Sequence, residues 1–302
     1  MQVTALTPRG FCHGVVQATQ KLKALAKDKS VPRPIQVLGM VVHNRKIVEE
    51  LDALGIITLD DRQKTRLELL ESIDHGTVVI TAHGASRAVY KRIQEKGLTL
   101  VATTCVDVLH AQDAVKSALS VGHTVLFVGR KNHPESETVL SYGPGVYLLE
   151  KLADIDALPK LKGPISMTNQ TTMSLFDVYH LFEAVKERFP EVELLDEQCE
   201  ATRLRQLAVM RQPDTIDHCF VVGDPRSNNS RKLVEVSIKA GIDASLIESV
   251  ADLDPKKLRQ YNHVSVTSGA STPTHLTKQV IAYLKAFEPN QRDTHNPSPY
   301  NT

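Results

Sequence analysis

Three cysteines, Cys12, Cys105 and Cys199, stand 93 and 94 residues apart, each shortly after a brief apolar stretch. Three thiolates can bind a metal ion or cluster and leave one coordination position open. Structural zinc takes four protein ligands, commonly in CxxC pairs, and this chain has no CxxC pair. An iron–sulfur cubane held by three cysteines leaves one iron without a protein ligand, where full ligation takes four. A second set of polar residues keeps the same beat. His43, His133 and Asn229 follow their cysteines by 31, 28 and 30 residues, and His83, Thr171 and Ser271 by 71, 66 and 72. Spacing alone favours three unrelated thiols, so the repeat needs support from the elements that carry these residues.

Those elements recur three times. A strand near 1–11 leads to Cys12 and a helix with Val15, Ala18, Leu22 and Leu25 on one face. Strands at 35–40, 56–59 and 78–81 alternate with helices at 45–53, 63–73 and 87–96. The same order follows Cys105, with strands at 98–103, 123–129, 146–149 and 165–167 and a helix at 175–188. It follows Cys199 again, with strands at 191–196, 218–223, 244–247 and 264–266 and helices at 231–240 and 275–287. Alternating strands and helices predict α/β units with mainly parallel sheets. The expected divisions are 1–97, 98–190 and 191–287, followed by a polar tail at 288–302. Ligands of such sheets bind beyond the carboxyl ends of the strands. Three pseudo-threefold-related units with those ends inward would gather the cysteines and the polar residues around one central cavity.

Composition excludes several classes. The chain has 302 residues, a net charge of +1 and 41% apolar residues, so no broad field selects nucleic acid or a membrane surface. No apolar run reaches 18 residues, and the N-terminus lacks the pattern of a signal peptide. Cytoplasmic location is expected, and four cysteines in such a chain are not a disulfide framework. Cys219, inside an apolar strand, reads as an inert buried thiol. Neither a Walker A sequence nor GxGxxG is present. Ser227-Asn228-Asn229-Ser230 and Ser271 offer compact donors beside helix N-termini, suited to an anion and equally to simple capping. Glu135, two residues after His133, reads on sequence alone as an exposed loop carboxylate, although a desolvated site would make it a proton donor. Glu137 is a weaker candidate for that role.

Together these motifs resemble the IspH/LytB family of 4-hydroxy-3-methylbut-2-enyl diphosphate (HMBPP) reductases. The resemblance runs from Thr7-Pro8-Arg9-Gly10-Phe11-Cys12 through Val42-His43-Asn44, Thr81-Ala82-His83-Gly84, His133-Pro134-Glu135, Gln170-Thr171-Thr172, Cys199 with Ala201-Thr202 and Arg205-Gln206, and Ser227-Asn228-Asn229-Ser230 to Thr267-Ser268-Gly269-Ala270-Ser271. It implies a [4Fe–4S] cluster on Cys12, Cys105 and Cys199, with the substrate hydroxyl at the fourth iron. It implies diphosphate binding by His43, His83, His133, Ser227, Asn228, Asn229 and Ser271. Glu135 is then the proton donor and Thr171 its helper. Two electrons, from ferredoxin or flavodoxin, and two protons remove the hydroxyl as water, giving isopentenyl or dimethylallyl diphosphate. A monomer is expected. The chain departs from the family pattern at His13, Val106, Asn132, Thr138 and Asn228. Alternatives are a quinolinate-synthase-like dehydratase, a non-catalytic cluster- or diphosphate-binding relative, and a phosphate-binding protein with structural thiols.

Overall fold

The computed structural model describes residues 1–61, 63–195 and 199–288. Apart from Glu288, the tail expected at 288–302 lies outside the described residues, as does the end of the strand expected at 191–196.

The first stretch runs β1 (Gln2–Ala5), α1 (His13–Lys27), β2 (Ile35–Leu38), α2 (Arg45–Asp52), β3 (Ile56–Leu59), α3 (Arg66–Glu71), β4 (Thr77–Ile80) and α4 (Arg87–Glu95). The second runs β5 (Thr99–Ala102), α5 (Val106–Ser120), β6 (Thr124–Val128), α6 (Pro134–Leu140), β7 (Val146–Leu149), α7 (Leu152–Asp156), β8 (Ile165–Asn169) and α8 (Leu175–Arg188). The third runs β9 (Glu193–Leu194), α9 (Glu200–Met210), β10 (His218–Val222), α10 (Asn228–Lys239), β11 (Ala244–Ile247), α11 (Pro255–Leu258), β12 (His263–Ser268) and α12 (Thr274–Ala286).

These strands form three four-stranded sheets with one common order: β3-β2-β4-β5, β7-β6-β8-β9 and β11-β10-β12-β1. Every pairing is parallel. The fold is therefore three equivalent parallel α/β units. Central strands are apolar on both faces because helices cover both, as in Thr77-Val78-Val79-Ile80, all buried.

The strand before each cysteine pairs with the unit that precedes it. β5 lies beside β4, β9 beside β8, and β1 closes the ring beside β12. The boundaries expected at 97/98 and 190/191 therefore do not coincide with the sheet boundaries, which fall just after these strands. Alternation of strands and helices carries no information about which neighbour an edge strand joins.

The helix after each cysteine packs on the next sheet. Val15, Ala18 and Leu22 of α1 lie against Ile35 and Val37 of β2 and Val79 of β4. Val115 and Ala118 of α5 lie against Val125 and Phe127 of β6. Val209 of α9 lies against Cys219 and Val221 of β10. Each cysteine thus sits where the chain steps from one sheet to the next.

Leu22 is fully buried in this packing. Leu22→Ala is expected to cost about 2–5 kcal/mol, read as a lower urea midpoint at unchanged m-value. A loss under about 1 kcal/mol would mean that α1 is not anchored as described.

Candidate active site

In the first two sheets the chain leaves β2 toward β3 but β4 toward β5, and β6 toward β7 but β8 toward β9, so the connections diverge from the gap between the two central strands; the third sheet has the same order, with β10 and β12 central and β1 in the outgoing place. The gap between those two strands is the switch point where open parallel sheets bind ligands. His43 follows β2 and His83 follows β4. His133 and Thr171 hold the same places after β6 and β8, and Asn229 and Ser271 after β10 and β12. The two polar rings thus have a topological cause.

Helix starts face the same centre. Cys12, Cys105 and Cys199 are the N-caps of α1, α5 and α9, and none of them makes a side-chain cap. His133 caps α6, Ser227 caps α10, and Asn44, next to His43, caps α2. Unpaired N–H groups and the positive ends of helix dipoles favour an anion there. Two cysteines are also tied to a polar loop by their backbones. The Cys12 N–H donates to Ala270 O, and the Cys105 N–H to Ala82 O, both at 3.0 Å.

Eleven of the twelve residues expected in the site line one cavity. They are the three cysteines, His43, His83, His133, Thr171, Ser227, Asn228, Asn229 and Ser271. The twelfth, Glu135, stands directly behind this lining. It is only 3% exposed, so it is not the exposed loop carboxylate of the sequence reading. Pro134 at the first helical position begins α6, a helix the polar run had hidden, and carries Glu135 inward. Glu135 accepts the Thr171 N–H at 2.8 Å and the Thr171 hydroxyl at 3.0 Å, and its Oε1 lies 3.4 Å from His83 Nδ1.

The three histidines pack on one another. The His43 and His83 rings stack at 4.8 Å, and His133 meets His83 edge-on at 5.3 Å. Burial, then the neighbouring His83, pushes the His43 imidazole down to about 3. Burial, then His83 and His43, holds His133 well below the ordinary range. Both are neutral at pH 7. His83 Nε2, His133 Nε2 and Asn228 Oδ1 are buried without a hydrogen-bond partner among the described residues. Such groups are costly unless a ligand satisfies them.

The cavity adjoins an outer chamber of about 490 Å³, and His43, His133 and Asn228 line both. Lys64, Arg66, Arg130, Arg226 and Arg231 around that chamber outnumber Asp60, Asp61 and Glu137. An anion approaching by this route meets a net positive mouth.

The thiol end fits an inorganic group. A Cβ on Gly14 would lie 2.4 Å from Cys105 Sγ and 4.0 Å from Cys12 Sγ, so glycine is what lets two thiols approach here. Burial pushes the Cys105 thiol up to about 11 and Cys199 up to about 12. Both are protonated at neutral pH until a metal's charge ionises them. The fourth cysteine, Cys219, is buried in β10 and away from this cavity, which leaves three thiols.

A family model described as LytB protein matches residues 3–285. The chain belongs to the LytB family. It is 49% identical over 290 residues to a 4-hydroxy-3-methylbut-2-enyl diphosphate reductase of Symbiobacterium thermophilum, covering 95% of this chain and 98% of that one. It is 45% identical over 296 residues to the enzyme of that name from Anoxybacillus flavithermus, covering 97% and 93%. Among solved structures it is similar to the E-1-hydroxy-2-methyl-but-2-enyl-4-diphosphate reductase from Plasmodium falciparum, with TM-score 0.87, 28% identity and coverage of 96% and 89%. A second structure, described as the terminal enzyme of the non-mevalonate pathway, gives TM-score 0.66 at 28% identity, covering 95% and 100%.

The departures of this LytB chain have local explanations. Asn132, where glycine is usual, has φ +63°, a conformation asparagine tolerates better than most side chains. Thr138 is buried and its hydroxyl donates to Pro134 O at 2.7 Å. Val106, where proline is usual, is still the first residue of α5. Asn228 donates to Thr172 O at 2.9 Å and so joins two units.

Other residues of the LytB site carried no recognisable role in the sequence. Arg205, buried, donates to Gly10 O and fixes the Cys12 loop to α9. Gln206 accepts the Leu175 N–H and donates to Met173 O, joining α9 to the start of α8. Asp107, two residues past Cys105, accepts a hydrogen bond from Cys199 Sγ at 2.9 Å. Its position in a Cys-x-Asp run was the one available signal.

The neutral His43 has a measurable consequence. Between pH 6.5 and about 3 the unfolded chain's imidazole takes a proton that the folded one refuses, so stability is lost as pH falls through that window. The urea midpoint of cluster-free protein should fall between pH 7 and pH 5, and fall less in His43→Asn. An identical fall in both proteins would contradict a neutral buried His43.

Proposed function

We infer that this protein is an oxidoreductase that converts HMBPP, with two electrons and two protons, to isopentenyl or dimethylallyl diphosphate and water. It thereby completes the non-mevalonate route to isoprenoid precursors. The observation that carries this reading is the meeting of a three-thiol ring with a His/Ser/Asn ring on one cavity, in a chain whose relatives bear that enzyme name over nearly their whole length. The same similarity favours the reductase over the dehydratase and non-catalytic alternatives.

Cys12, Cys105 and Cys199 are proposed to hold a [4Fe–4S] cluster. When bound, that cluster supplies the electrons and a Lewis-acidic iron that improves hydroxide as a leaving group. The chain's own residues then have separable tasks. The imidazoles of His43, His83 and His133, with Ser227, Asn228, Asn229 and Ser271, hold the diphosphate by hydrogen bonds. Burial keeps His43 and His133 neutral in the empty cavity, and an arriving anion favours their protonated forms. Fixing the diphosphate far from the reacting carbon orients the hydroxyl toward the thiol end.

Glu135 holds the proton. Its Oε1 and the Thr171 hydroxyl are 3.0 Å apart, and Thr171 lines the cavity. In the empty site the Thr171 hydroxyl donates to Glu135; with Glu135 protonated and substrate bound, that bond reverses, so that the Glu135 carboxyl gives its proton to the Thr171 oxygen while the Thr171 hydroxyl gives its own to the leaving oxygen. Packing around the buried Glu135 keeps bulk water from competing. Electrons are proposed to come singly from ferredoxin or flavodoxin. Free cysteines suit a reducing compartment, so we read the protein as cytoplasmic, and as a monomer because one chain builds the whole cavity. No helix among the described residues is long and apolar enough to cross a membrane.

The deciding experiment is anaerobic turnover of HMBPP with a reduced low-potential donor, following both isomeric products. No turnover by fully loaded protein would contradict the assignment. Glu135→Gln should lower kcat by about 10²–10⁴-fold while leaving iron content and pyrophosphate affinity unchanged. Unaltered kcat in Glu135→Gln would remove Glu135 from proton delivery.

A further inference from the structure

One group at the thiol end is left unused by the reductase chemistry. His13 is the first residue of α1, and Asp107 lies in the first turn of α5. The two helix starts come together because Gly14 offers no side chain between them. His13 Nε2 lies 3.5 Å from Asp107 Oδ2. One nitrogen of His13, Cys105 Sγ and an Asp107 oxygen all lie within 4.8 Å of one another. Donors around a tetrahedral first-row ion, at about 2.0–2.3 Å from it, are about 3.5 Å apart. The His–Asp separation already meets that spacing, and a small side-chain rotation brings in the thiol. The same Oδ2 accepts a hydrogen bond from Cys199 Sγ at 2.9 Å, which holds the carboxylate at this spot and leaves Oδ1 free to turn to an ion.

We propose that, in the cluster-free protein, His13, Cys105 and Asp107 hold a single divalent ion of borderline softness, Zn²⁺ or Fe²⁺, with water completing its shell. One nitrogen, one sulfur and one oxygen donor suit such ions and do not suit Mg²⁺ or Ca²⁺. The His13 side chain is 47% exposed and Asp107 20%, so an ion can enter from solvent. Cys105 belongs to this site and also to the set proposed for the cluster. The two occupancies therefore exclude each other: zinc bound here blocks cluster assembly, and ferrous iron bound here is the first metal captured. The site itself does not depend on the reductase reading; only the competition rests on it.

The test titrates Co²⁺, as a spectroscopic probe, anaerobically into full-length protein freed of metal by chelation. One Co²⁺ per chain is expected, with a thiolate-to-cobalt charge-transfer band. His13→Ala should weaken binding at least tenfold while circular dichroism stays that of wild type, since His13 is half exposed. Cys12→Ser should leave cobalt binding unchanged although it removes a proposed cluster ligand. Unchanged affinity in His13→Ala, or a tenfold loss in Cys12→Ser, would overturn the site in favour of a cysteine-only one. Reconstitution of wild-type protein with iron and sulfide, with and without one equivalent of Zn²⁺, reads the competition separately. If no cluster forms without zinc, the reductase reading fails while the cobalt result still stands; if zinc leaves cluster yield unchanged, the competition fails.

Discussion

The chain crosses from one sheet to the next three times, and each crossing is a short link from an edge strand, through a cysteine, to a helix. The strand is fixed by its ladder to one sheet, and the helix by its apolar face to another. The cysteine between them is held by both. Three such links in a closed ring direct three thiols toward the middle, and everything else at the site depends on that arrangement. Breaking one link would loosen a thiol and the interface between two units together. Arg205 and Gln206 reinforce the same joints with buried hydrogen bonds, which are expensive to leave unmade.

Burial then sets the chemistry of the ring. Burial holds the Cys105 and Cys199 thiols protonated in the empty protein, and a metal's positive charge is what would ionise them. Burial likewise holds the His43 and His133 imidazoles neutral. Each end of the cavity is kept close to electrical neutrality until its ligand enters, which avoids the cost of uncompensated buried charge. The positive side chains line the outer chamber and give an approaching anion a net positive mouth. Glu135 stands behind the cavity wall, hydrogen-bonded by Thr171 and beside His83, so the residue proposed for proton delivery touches one of those proposed for the diphosphate.

Much of this was legible in the amino-acid sequence because the repeat is written in residue types with few other uses. Cysteines are rare, and histidines at strand ends stand out against alternating apolar runs. The strand order could not be read: nothing in Thr99–Ala102 says whether it pairs with the strand before it or after it. The burial of Glu135 was hidden for a similar reason. Pro134 and three polar neighbours look like a loop, whereas proline is also a good first residue of a helix. Asn132 shows the reverse case. The sequence showed only a departure from glycine, and its left-handed conformation makes asparagine one of the few tolerable replacements. Arg205 and Asp107 act through long-range contacts, which local sequence cannot display.

The central claim is that three thiols from three units hold one cluster and leave its fourth iron to the substrate. Mössbauer spectroscopy of protein reconstituted with ⁵⁷Fe tests it most directly. The expected spectrum has three irons in thiolate-like environments and one distinct iron, and addition of HMBPP changes only the signal of that fourth iron. Four equivalent irons unaffected by HMBPP, or a spectrum without a four-iron cluster, would contradict it.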